Sequence, residues 1–256
     1  MKRETKRALK WLWILPVLLL IAIVAFVIWG LTPLGPTDVA LKALQSGEGI
    51  TVTPAAGGWA FAPTSTEPTA GLVLYPGGHV DARSYAPLAR VIAQRGYLVV
   101  VPKMPLSLAF FDLNAADRAR AAYPDIRTWA VAGHSLGGVA AAAYAQSKPS
   151  DVGGLVLYAA YPAGGADFSA STLEVASATG TLDGVINRES LVASYPKLPR
   201  GADLTPILGG NHGQFGSYGP QPGDNAATIT PERQWELAAD AAQEVLSRGA
   251  AKRAGN

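Results

Sequence analysis

Apolar and polar positions follow three regimes along the chain. Residues 11–31 form an uncharged run of 21 residues, almost all apolar. At about 1.5 Å of rise per residue this is about 31 Å of helix, matching a hydrocarbon core of about 30 Å. Trp11, Trp13 and Trp29 sit near its ends, where amphipathic rings favour the headgroup region, and Pro16 is tolerated in a spanning helix. Residues 32–48 are punctuated by Pro and Gly and read as a stalk with a short helix around 39–44. From Gly49 the pattern changes to short apolar runs separated by amphipathic stretches.

Residues 50–53 and 59–62 flank Gly57-Gly58 and predict a small antiparallel pair. The runs at 71–75, 97–101, 128–132, 152–159, 173–178 and 204–208 predict strands, the most apolar of them buried on both faces. Between them lie helical patterns. Tyr85, Leu88, Val91 and Ile92 mark one face of a helix over 84–94, with Pro87 in its first turn and Gly96 beyond its end. Further helices are expected over 115–122 and over the small-residue stretch 138–146. Thr230-Pro231-Glu232 opens a last helix running to about residue 247, with Thr as N-cap and Pro at the first helical position.

Strands alternating with helices predict an α/β domain over 49–248. Its sheet should be mostly parallel, with helices on both faces. It follows a basic arm (1–10), a transmembrane helix (11–31) and the stalk (32–48), and it precedes a frayed tail (249–256). Residues 161–172 are too few for an inserted helical cap domain.

Charge sharpens the picture of the amino terminus. Lys2, Arg3, Lys6, Arg7 and Lys10 against Glu4 give the first ten residues +4, so the other 246 carry −2 of the overall +2. A basic arm before the apolar run places the arm in the cytoplasm and the domain outside. A cleaved signal peptide would have a shorter apolar region ending at a small-x-small site, and Trp29-Gly30-Leu31-Thr32-Pro33 is a poor one. Basicity confined to an arm argues against nucleic acid as a partner. The absence of cysteine excludes disulfides, thiolate metal sites and a Cys nucleophile, and three histidines leave little room for a His-rich metal centre. The expectation is a site with neither metal nor organic cofactor.

In such a sheet, ligands bind beyond the carboxyl ends of the strands. The loop there at 133–138 reads Gly133-His134-Ser135-Leu136-Gly137-Gly138, a G-x-S-x-G match between an apolar strand and a helix, as a nucleophile elbow requires. A serine hydroxyl needs an adjacent base. His134 neighbours the serine and should diverge from it, and His79 sits in the loop after the first buried strand. His212 follows the last strand and satisfies the chain order Ser, acid, His. Between Ser135 and His212 the acid must lie on a carboxyl-end loop. Asp151 and Asp203 precede strands, Asp183 lies between glycines after the 173–178 strand, and Asp167 is the runner-up. The oxyanion donors expected are the N–H of Leu136 and that of Gly78, with His79 next. The long loop after His212 carries Gln214, Phe215, Tyr218, Gln221 and Asp224, and with His79 it is expected to shape a pocket over Ser135.

These motifs resemble those of the α/β-hydrolase superfamily over about residues 49–248. More narrowly, Tyr75-Pro76-Gly77-Gly78, the serine motif, Gly209-Gly210-Asn211-His212-Gly213-Gln214-Phe215-Gly216 and Tyr218-Gly219-Pro220-Gln221-Pro222-Gly223-Asp224 are similar to a small bacterial group of membrane-anchored or exported α/β-hydrolases of poorly defined substrate. Members of that group often carry lysine where His79 stands, so the resemblance assigns that side chain no role. It implies a membrane-anchored serine hydrolase, with Ser135, Asp183 and His212 as triad, acting on a small-molecule or lipid-like acyl substrate. Peptidase and acyltransferase chemistry use the same machinery, and a non-catalytic binding module on the same scaffold is the alternative from another class.

Overall fold

The computed structural model describes residues 13–254; the basic arm 1–10, Trp11 and Leu12 lie outside the described residues, as do the last two residues of the tail. Eight strands form one sheet: β1 (Ile50–Ala55), β2 (Gly58–Pro63), β3 (Ala70–Tyr75), β4 (Leu98–Pro102), β5 (Thr128–His134), β6 (Gly154–Tyr158), β7 (Glu174–Gly180) and β8 (Asp203–Ile207). Their order across the sheet is β1-β2-β4-β3-β5-β6-β7-β8. The β1–β2 hairpin adds antiparallel to β4 through Gly58↔Pro102 to Phe61↔Val99, and every other pairing is parallel. All six parallel strands therefore end at one edge.

Period-two alternation divides the central strands between two cores. Leu72, Leu74, Val99, Val101, Ala130, Ala132, Val156 and Tyr158 face one side. There they pack on helices α3 (Ala86–Gln94) and α7 (Pro231–Ala254). Val73, Tyr75, Val100, Val131, Leu155 and Leu157 face the other side, against α4 (Ala115–Ala122) and α5 (Leu136–Ser147). Burial on both faces is why these strands read as continuous apolar runs rather than as alternation. No helix lies between β6 and β7, so the domain carries no cap.

Four elements differ from expectation. The stretch 82–94 opens with a 3₁₀ turn, Ala82–Tyr85, capped by the Asp81 carboxylate, which accepts from Arg83 N–H at 2.9 Å. A short helix, α6 (Arg188–Ser194), follows β7, with the Asn187 side chain accepting from Ser190 N–H at 2.8 Å. The tail is not frayed at residue 249: α7 continues to Ala254 because Arg248 and Lys252 pair with Glu174 and Lys252 Nζ donates to the Thr172 carbonyl at 3.0 Å. The segment 32–48 is not a free stalk. It lies along the domain, with helix α2 (Asp38–Ala43) seated by a fully buried Ala40. Leu34 and Thr37 N–H donate to the His79 and Ser217 carbonyls at 2.9 Å each. Arg90 donates to the carbonyls of Ala43, Gln45 and Gly47.

Helix α1 (Ile14–Leu31) is the one helix among the described residues long and apolar enough to cross a membrane. Apart from Gly30 its side chains are open to the surroundings.

Candidate active site

Three loops at the carboxyl edge of the sheet converge. The first is the β5–α5 turn, where Ser135 holds φ 51° and ψ −122°. A non-glycine residue there carries strain of about 1–3 kcal/mol, which the surrounding structure must impose. The clamp is visible: Ser135 N–H donates to the Tyr158 carbonyl at 2.9 Å, and its own carbonyl accepts from Gly138 and Val139. Gly137 is required by close approach, since a Cβ there would stand 2.2 Å from the Pro76 carbonyl oxygen.

The second and third loops, after β7 and β8, supply Asp183 and His212. His212 Nδ1 lies 2.8 Å from Asp183 Oδ2, and both side chains are withdrawn from solvent. The other carboxylate oxygen, Oδ1, accepts from Val185 and Ile186 N–H at 2.9 and 2.8 Å. Burial alone would raise the pKa of Asp183, but the hydrogen bond and charge of His212, with the two N–H groups, outweigh it and hold the carboxyl below its ordinary value. With Nδ1–H donating to the carboxylate, Nε2 is the ring nitrogen that can accept a proton. That nitrogen is buried and has no hydrogen-bond partner, so the Ser135–His212 bond is unmade in this state. Asp167, the alternative acid, is exposed and caps its own turn through Ser169 N–H at 2.8 Å.

The remaining expected residues separate. Gly78 abuts Leu136, a Cβ on it meeting Leu136 Cδ2 at 2.8 Å, and neither peptide N–H is engaged among the described residues. His79 N–H, by contrast, donates to the Ser107 carbonyl at 2.8 Å. The His79 ring lies flat on Trp29, centroids 4.1 Å apart at 10°, with Nε2 2.8 Å from the Trp29 carbonyl oxygen. Phe215 and Tyr218 sit in the core rather than at a mouth over Ser135. Phe215 is fully buried against His134 and Tyr158, and Tyr218 donates to Gln221 Oε1 at 2.8 Å. Their aromatic character serves packing. Gln214 turns away to donate to the Ile229 carbonyl at 3.3 Å.

Two residues outside the triad support it. Asp224, half-buried, accepts Gly184 and His212 N–H on Oδ1 at 3.0 and 3.2 Å and Gly213 N–H on Oδ2 at 2.8 Å. One carboxylate thus ties the acid loop to the base loop. Tyr85 is buried; its hydroxyl accepts from Gly77 N–H at 2.9 Å and lies 2.7 Å from His134 Nδ1. The His134 ring stands 4.5 Å from that of His212, and burial first, then this neighbour, hold His134 well below the usual imidazole pKa. Among the described residues no group of three or more His, Cys, Asp or Glu could hold a metal ion.

The model of the alpha/beta hydrolase family matches residues 71–236, a stretch containing all three convergent loops. The chain belongs to the alpha/beta hydrolase family. No curated protein sequence matches this chain. Among solved structures it is similar to a dienelactone hydrolase from Anabaena variabilis ATCC 29413 (TM-score 0.57, 16% identity, covering 78% of this chain and 100% of that one). It is also similar to a predicted CIB-like hydrolase from Thermoplasma acidophilum (TM-score 0.54, 14% identity, 76% and 97%). At these identities the likeness is one of fold, and it takes in nearly the whole of each neighbour.

Proposed function

We propose that this protein is a membrane-anchored serine hydrolase that cleaves an ester or related acyl substrate outside the cytoplasm. The observation that carries the reading is the buried Asp183–His212 pair, 2.8 Å apart, on loops that converge with the strained Ser135 turn. Ser135 Oγ attacks the acyl carbonyl as its proton passes to His212 Nε2. Asp183 holds the imidazole tautomer and stabilises the imidazolium. The unengaged N–H groups of Leu136 and Gly78 supply the oxyanion donors. His212 then protonates the leaving alcohol, and water on the same base releases the acid. The missing Ser135–His212 bond suits a resting state, because catalytic hydrogen bonds tighten as substrate binds.

Anchoring rests on the length and exposure of α1 and on the basic arm before it. The arm faces the cytoplasm and the domain lies outside. Turnover of short p-nitrophenyl esters, lost in His212→Ala, is the expected result. Full retention of turnover in that variant would overturn the assignment. The unpartnered His212 Nε2 favours a second reading, a binding module on this scaffold. Binding without turnover by either protein would support that one.

A further inference from the structure

The end of α1 is fastened to the loops beside the candidate site. Gly30, the one buried residue of that helix, lies against Leu106: a Cβ on it would meet Leu106 Cβ at 2.7 Å. Ser107 Oγ–H donates to the Gly30 carbonyl at 3.1 Å, and Trp29 stacks on His79. The backbone agrees, with His79, Leu106 and Ser107 at φ of 57°, 50° and 55°. His79 follows Gly78, which touches Leu136, the residue after Ser135. A short chain of contacts thus joins the anchor to the nucleophile.

Two large apolar side chains remain exposed beside this junction, Phe110 at 48% and Phe111 at 54%. The Phe111 ring meets Phe26 of α1 edge-on, centroids 6.3 Å apart. Phe26 lies five residues before the end of α1, about 7.5 Å along the axis. With the end of α1 at the outer boundary of the hydrocarbon, Phe111 sits at about that depth, within the ~5–10 Å typical of interfacial apolar elements. Phe110 lines a mostly apolar groove of about 430 Å³ with Val139, Ala143 and Ala163. Val139 is one helical turn from Ser135, to whose carbonyl its N–H donates.

We infer that the Phe110–Phe111 segment inserts into the outer leaflet and that the groove receives the acyl chain of an ester dissolved in the bilayer. The occupant of the exposed patch is lipid, because the patch continues the apolar surface of α1. The substrate part rests on the serine-hydrolase reading. Ser135 Oγ bonds to the acyl carbon, the ester C–O bond breaks, the alcohol leaves with the proton from His212, and water frees the fatty acid.

The test uses the full chain in phosphatidylcholine vesicles. Because the protein has no cysteine, Phe111→Cys and Glu67→Cys can each carry a single bimane label; Glu67 is exposed before the amino end of β3, the far edge of the sheet. Shallow doxyl-lipid should quench the label at 111 and spare that at 67. Equal quenching, or none at 111, overturns insertion whether or not the protein is an enzyme. In parallel, Phe111→Ser should lower the ratio of vesicle-dissolved long-chain p-nitrophenyl ester turnover to acetate turnover by about tenfold. An unchanged ratio overturns the lipid-substrate inference. Loss of both activities in wild type, with Ser135 refractory to a fluorophosphonate, removes the hydrolase reading and with it the substrate, while the quenching result still decides insertion.

Discussion

Replacing Asp224 separates positioning from chemistry at this site. Asp224→Ala removes the acceptor for the Gly184, His212 and Gly213 N–H groups, at 3.0, 3.2 and 2.8 Å. Hydrogen bonds to a charged group are worth about 1.5–3 kcal/mol each when buried. Asp224 is half-buried, so water takes over part of the three and the expected loss is about 2–3 kcal/mol in total. For a domain of this size that is a fall in Tm of about 5–10 °C. Asp224→Asn keeps one oxygen but turns an NH₂ toward an N–H, and should cost about half as much. The consequence for chemistry comes through His212, whose peptide is held by Oδ1. A displacement approaching 1 Å should slow fluorophosphonate labelling of Ser135 by up to about 100-fold. The assay is the second-order labelling rate at a temperature where each variant is fully folded, with Tm from differential scanning fluorimetry. A lower Tm with a wild-type labelling rate would make Asp224 a loop staple with no bearing on the base. Wild-type values for both would mean that Asp224 holds neither loop in place.

Three further outcomes follow from the same geometry. Because the pKa of His134 is depressed in the folded state, the unfolded chain binds one more proton below about pH 6.5. That contribution to stability is intact above pH 6.5 and declines at about 1.4 kcal/mol per pH unit as the pH falls toward the folded pKa. Urea titrations from pH 7 to 5 should show a slope shallower by one proton in His134→Asn, and an identical slope contradicts the assignment. Tyr85→Phe strips the partner from His134 Nδ1 and Gly77 N–H, both buried, and should cost about 1–3 kcal/mol in chemical denaturation; a neutral change would mean the pair finds another partner. Ser135→Gly should be about 1 kcal/mol more stable than Ser135→Ala, since both lack the hydroxyl but only glycine escapes the strain at φ 51°; equal stabilities would show that the turn stores none.

The parts legible from sequence were those encoded over short range. Buried parallel strands announce themselves as apolar runs, and the G-x-S-x-G turn needs only its strand and helix for context. Asp183 could be separated from Asp167 by asking which loop folds back between glycines. Long-range pairings left no such trace. Gly249 reads as a stop, yet the helix-forming residues after it continue α7, whose last turn is held by Glu174, 78 residues before Lys252. The docking of Trp29 on His79 joins residues fifty apart, and a Pro- and Gly-rich segment gives the same pattern whether it is free or laid along a domain. Phe215 and Tyr218 interrupt a polar loop, a pattern that suggests the lining of a mouth, yet the loop dips into the core to bury them. A signal for α6 was present, an asparagine three residues before a serine with Glu189 in the first turn. Asp224 stands in a distinctive loop stretch, yet only the folded loops reveal that it joins acid and base.

In the proposed mechanism Ser135 is a nucleophile activated by His212 and Asp183. Incubating the full chain in detergent with a fluorophosphonate and mapping the adduct by peptide mass spectrometry tests it most directly. One adduct is expected, on Ser135, absent in Ser135→Ala and formed at least about 100-fold more slowly in His212→Ala. An adduct on another residue, or labelling of Ser135 at an undiminished rate without His212, would contradict it.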